Sequence, residues 1–91
     1  MARFYLHVIN RLGTARDEEG AELADLQEAE ARAIEGIRSI LADEAKAGRL
    51  DLDGRIEIAD ESGAIVRTVP FEEAFEIRPG DDRASGRSGG R

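Results

Sequence analysis

Asp25–Gly48 reads DLQEAEARAIEGIRSILADEAKAG, and the reading of this stretch decides the fold. Leu26, Ala29, Ala33, Ile34, Ile37, Ile40 and Leu41 recur at steps of three and four. That spacing lays them along one apolar stripe of an α-helix. Gln27, Arg32, Glu35, Arg38, Ala42 and Lys46 fall on the opposite side. Asp25 is placed to cap the first turn, with Glu28 at the capping-box spacing. Lys46 in the last turn and Gly48 just beyond it mark the stop. A helix from Leu26 to Ala47 spans roughly 33 Å at about 1.5 Å per residue. Gly36 inside it costs about 1 kcal/mol relative to Ala. Glu30 and Glu44 fall near the middle of the apolar stripe. A carboxylate there needs a partner or a raised pKa. The alternative is that both ends of the stripe overhang the core and these side chains bend to solvent.

Strand signals flank the helix. Arg3–Asn10 alternates Phe4, Leu6 and Val8 with Tyr5, His7 and Ile9, and both faces are apolar enough for a central strand. A turn at Gly13 leads into the polar stretch Thr14–Leu23, which predicts a short or irregular second strand and a turn at Gly20. After the helix, Leu50 and Leu52 are expected to fold back on the core. Arg55–Ala59 predicts a strand with Ile56 and Ile58 on one face. Asp60–Gly63 is a tight turn, with Gly63 suited to a positive φ. Ala64–Pro70 returns, with Ile65, Val69 and Phe71 sharing a face and Arg67 at its rim. Pro70 places the end of this strand at a sheet edge. Phe71–Ile77 predicts a short closing segment of one helical turn, pinned by Phe75. Residues 79–91 are Gly, Ser, Asp and Arg, the composition of a flexible tail. The expected architecture is a single α+β domain over residues 1–78. A small antiparallel sheet of three or four strands, in the order β-(β)-α-β-β, packs on one long amphipathic helix.

Composition narrows the function classes. Ninety-one residues with 41% hydrophobic content support one domain with a small core. Self-association that buries a sheet edge or a helix face would add to that core, so a homodimer or a protein partner is expected. Twenty acidic residues against thirteen basic give a net charge of −7. Such a surface repels nucleic acid unless a basic patch exists, and the cations here are scattered. With no cysteine, there is no disulfide frame, thiolate nucleophile or cysteine metal site. No apolar run suits a membrane span or a secretory leader, which leaves the cytoplasm as the default location.

Several segments together carry a family resemblance. Arg3-Phe4-Tyr5-Leu6-His7 opens the chain. Asp17-Glu18-Glu19-Gly20-Ala21-Glu22-Leu23-Ala24-Asp25 leads into the Ala-rich helix. Gly54-Arg55-Ile56-Glu57-Ile58 and Val69-Pro70-Phe71-Glu72-Glu73-Ala74 close it. The combination resembles DUF6894, a family of small bacterial domains of unknown function, over about residues 1–78. Asn10-Arg11-Leu12-Gly13 departs from the Asp-Gly turn that members often carry after the first strand. The resemblance implies the α+β fold and brings no activity with it.

His7 is the only histidine. With Tyr5 on the same strand face, a carboxylate of Asp17, Glu18 or Glu19 nearby and Glu30 on the helix, it makes a candidate polar pocket between helix and sheet, suited to a small molecule or a weak hydrolase. The bland reading is a half-buried strand histidine with a satisfied ring nitrogen. Asp51-x-Asp53-Gly54-x-Ile56 resembles the middle of a calcium loop. Arg49 stands where its first acidic ligand belongs and a strand follows instead of a helix, so calcium is rejected. The run Asp17-Glu18-Glu19 reads as solvated acid rather than a cation site. No nucleotide or zinc spacing is present, and neither metal nor cofactor is expected. Arg83, Arg87 and Arg91 in the tail are too few for more than weak, salt-sensitive RNA binding. The expectation is a small non-catalytic module that self-associates or binds a protein. A pocket around Tyr5, His7 and Glu30 is the alternative, and a nucleic-acid-associated regulator is disfavoured by charge.

Overall fold

Alternation in the first ten residues makes β1, Ala2–Asn10, the centre of the sheet. The computed structural model describes residues 1–78 and Gly80. Its other elements are β2 (Gly13–Ala15), β3 (Ala21–Leu23), α1 (Leu26–Lys46), β4 (Arg55–Ala59), β5 (Ile65–Pro70) and a 3-10 turn, Phe71–Ala74. Every strand pair is antiparallel. The order is β2-β1-β4-β5, with β3 also on β1. β2 takes the C-terminal half of β1, and β3 takes the N-terminal half.

Successive strand residues point to opposite faces, so the sheet has two distinct surfaces. Ala2, Phe4, Leu6 and Val8 of β1, with Ile56 and Ile58 of β4 and Val69 of β5, pack into the core beneath α1. The helix contributes Ala29, Ala33, Ile37 and Leu41, all fully buried at a spacing of four. Leu26, Ile34 and Ile40 pack partly buried at its margins. The two alanines keep side-chain bulk low where the helix crosses the sheet. Each large core side chain, such as Ile37, Leu41 or Phe71, contributes roughly 1.5–3 kcal/mol by leaving water.

The caps form as the sequence predicts. The Asp25 carboxylate accepts the Glu28 N–H at 2.9 Å. Glu28 reaches back one residue further than the usual box and accepts the Ala24 N–H at 2.6 Å. Gly48, at φ +87°, ends the helix after Lys46.

Four local expectations need correction. The returning strand is irregular: Ile58 faces Arg67 but Ala59 faces Ile65, so Val66 is an extra residue in a bulge. The slip turns Ile65 away from the core, and it is 48% exposed. The closing turn is pinned by the fully buried Phe71, whose N–H donates to the Gly54 carbonyl at 2.9 Å, and not by Phe75. A Cβ on Gly54 would lie 2.6 Å from the Phe71 ring, so the ring packs where only glycine leaves room. Leu52 packs against the core, whereas Leu50 is exposed. Finally, neither stripe carboxylate simply bends to solvent. Both are half-buried: Glu44 accepts the Asp51 N–H at 3.1 Å, and Glu30 meets Arg67. Except for Gly80, the expected tail lies outside the described residues.

Candidate functional site

The residues singled out in the sequence lie on different sides of the sheet. Tyr5 and His7 occupy the odd positions of β1, on the face away from α1, with Ala59 and Glu57 of β4 opposite them. Glu30 lies on the helix side, where its carboxylate accepts the Arg67 Nε–H at 2.6 Å. Arg67 also bonds Glu73, so one guanidinium ties α1, β5 and the 3-10 turn together. The two carboxylates raise the Arg67 pKa, Glu73 more than Glu30. The expected pocket of Tyr5, His7 and Glu30 therefore does not assemble. The sheet stands between its parts.

The helix-free face carries a different arrangement. Between β2 and β3 the edge of β1 loses its strand partner. Val8 faces Ala15 and Phe4 faces Ala21, so the five residues Arg16–Gly20 stand against the three residues Tyr5–His7. Asp17 fills the gap. Its Oδ2 accepts the Leu6 N–H at 3.1 Å and its Oδ1 accepts the Gly20 N–H at 3.0 Å. Burial pushes the Asp17 carboxyl up, but the N–H groups of Leu6, Gly20 and Glu19, with His7 nearby, outweigh it and hold the pKa below 3.8. Gly20 sits at φ +71°, and a Cβ there would meet the Phe4 carbonyl oxygen at 2.9 Å. The Asp-x-x-Gly spacing in the acidic run is thus a structural device: one residue supplies the acceptors and the other makes the close approach.

His7 completes the loop anchor. It is buried, at 7% exposure, and its Nδ1 accepts the Asp17 N–H at 3.0 Å. With Nδ1 as acceptor, the proton of the neutral ring sits on Nε2. This polarity is the reverse of a hydrolytic triad, where Nδ1–H donates to an orienting acid. The Nε2–H has no acceptor among the described residues.

Around His7 the helix-free face forms a shallow trough of about 690 Å³. Tyr5, Ile9 and Ala59 contribute to its floor. The Arg16–Glu18 segment lies along one side, and the β4–β5 turn with Ile65 lies along the other. Most charged groups here serve internal bonds. Glu57 accepts from Arg55 Nε at 3.1 Å. Asp60 accepts the N–H groups of Ser62 and Ala64 and the Ser62 hydroxyl, which with the turn holds its pKa below 3.8. A smaller hollow of about 380 Å³ lies between the β1–β2 turn and the end of α1. Beside it Arg11 bridges Asp51 at 3.3 Å and Asp53 at 3.6 Å, so both acids of the calcium-like segment are ion-paired. Among the described residues no three His, Asp or Glu side chains gather as metal ligands. Nor is any helix there long and apolar enough to cross a membrane.

These features define an α+β domain with one helix on one face of an antiparallel sheet and a polar trough on the other. The chain belongs to the family described as a domain of unknown function, DUF6894, whose sequence model matches residues 3–72. No curated protein and no solved structure matches it. The matched span runs from the first strand to the start of the 3-10 turn, and so includes Asp17, Gly20 and His7.

Proposed function

We propose that this domain is a non-catalytic interaction module that holds another protein on the helix-free face of its sheet. The observation that carries the reading is that this face has no covering layer among the described residues, although Tyr5, Ile9 and Ile65 give it apolar ground. The use of its charges argues against chemistry. Asp17, Glu57 and Asp60 are each committed to internal bonds, and His7 Nδ1 is occupied. No nucleophile–base–acid series remains among the described residues. The test is photo-crosslinking from benzoylphenylalanine placed at Thr14 or Thr68, on the helix-free face, and at Arg32, on the outer side of α1. A partner captured from Thr14 and Thr68 but not from Arg32 is the expected result. Capture from Arg32 alone, or equally from all three, would sink the reading.

A homodimer is the second reading, favoured by Ile65 and Val66, which are 48% and 41% exposed on the open edge strand. Three features weigh against pairing through the sheet edges. β5 is bulged at Val66 and ends in Pro70, which has no N–H, while β2 at the other edge has only three residues. A net charge of −7 also sets two copies against each other. Sedimentation velocity over a wide concentration range separates the readings: a monomer throughout removes the second.

A further inference from the structure

We infer that the segment held in the trough is basic and extended, an arginine- or lysine-bearing stretch of the partner protein. This rests on the helix-free face being the working surface, and adds the chemistry of what it takes. Five carboxylates line the trough against two guanidinium groups. Arg55 is matched by Glu57 at 3.1 Å, and with Arg16, exposed on the same wall as Glu18, counted against the rest, the lining keeps an excess of three carboxylates. Glu18 on one side and Glu61 on the other are exposed and have no partner among the described residues. A net excess of one sign across a concave site favours a ligand of the opposite sign.

The buried group adds a second requirement. His7 is more than nine-tenths buried, and its Nε2–H lacks an acceptor on the lining of this same trough. A donor held in a site is satisfied by an acceptor. A metal ion or a simple ammonium group brings no acceptor. A carboxylate or phosphate ligand brings one, but the acidic walls repel it. A peptide meets both conditions: its backbone carbonyls accept, and its side chains carry the positive charge. The floor suits such side chains as well. Ile9 and Ile65 can cover the aliphatic stems of lysine or arginine, and Tyr5 adds an aromatic ring to the lining, a group that attracts cations. A volume of about 690 Å³ lies within the range of ordinary ligand sites.

The probes are three capped pentapeptides, Gly-Arg-Gly-Arg-Gly and its Gln and Glu counterparts, titrated into the full chain and followed by amide NMR at low salt. The expected result is that the Arg peptide shifts the amides of His7, Ala59 and Ile65, and that the Glu peptide does not. Glu18→Gln with Glu61→Gln should weaken Arg-peptide binding about three- to tenfold. Glu35→Gln with Asp43→Asn, on exposed positions of α1, should leave it unchanged. All four positions are exposed, so loss of folding does not confuse the comparison. Arg-peptide binding that the Glu18 and Glu61 changes do not weaken overturns the basic assignment. So does a Gln peptide that binds as tightly, and in that case the face itself remains an interaction surface. If none of the peptides shifts these amides, the assignment also falls, and capture from Thr14 and Thr68 then decides the face independently.

Discussion

Asp17 takes the Leu6 N–H at 3.1 Å and the Gly20 N–H at 3.0 Å, and its own N–H is held by His7. One aspartate therefore stands in for the missing strand between β2 and β3. Asp17→Ala leaves two backbone donors without their acceptor, and should cost about 2–3 kcal/mol, read as a lower urea midpoint. Asp17→Asn keeps one acceptor oxygen and should cost about half as much. The pair also carries a pH signature. Unfolded, the carboxyl titrates near 3.8, and folded it titrates lower. Its contribution is therefore complete above that value, and is lost as pH falls below it through the folded pKa. Urea midpoints measured from neutral pH down through this window should converge for Asp17→Asn and the parent chain. A constant gap across the series would contradict the assignment.

At the scale of elements, α1 holds a position that the sequence leaves short of optimal. Gly36 is helical, and a Cβ placed there would meet only Ile56 Cδ1 at 3.8 Å, an ordinary contact. Gly36→Ala should stabilise the chain by about 0.5–1 kcal/mol, a rise in Tm of several degrees at this size. Lower stability would mean that the helix cannot spare even that space. The tie between α1 and β5 is testable as a double-mutant cycle on Glu30→Gln and Arg67→Gln. Both side chains are about one-third exposed, so a coupling of about 0.5–1 kcal/mol is expected, weakening with salt. The helix, its caps and the central position of β1 were legible because they depend on period and on neighbours within four residues. What was not legible depends on distant partners. Glu30 looked stranded because Arg67 lies 37 residues away in the chain. The acidic run read as solvated because nothing local shows that Leu6 needs an acceptor. Ile65 read as core because period two carries no mark of the extra residue at Val66. For the site, Tyr5 and His7 were rightly set on one face, but the sequence does not say which face the helix covers.

At the scale of the whole molecule, the described residues form a two-layer structure closed at its end by Phe71 and Ala74, their last buried side chains. A chain ending at Arg78 should thus keep the urea midpoint and slope of the full chain, within the error of the measurement. A clear drop would place residues 79–91 in the folding unit. Net charge acts at this scale too. The chain carries a net charge of −7, so added salt should raise overall stability by relieving repulsion, while it weakens the Glu30–Arg67 tie.

The central strand also has a history during synthesis. β1 is made before the rest of its sheet, yet one of its two flanks is completed only by β4, whose first residue follows the end of β1 by about 45 residues. At roughly 5–20 residues per second, that flank stays open for on the order of seconds as the chain leaves the ribosome. The nascent hairpin and helix can form in that time, but the bare backbone beside Tyr5–Ile9 is available to any other strand in reach. Proline and a bulge guard the finished edge at β5, and no such guard protects the temporary one.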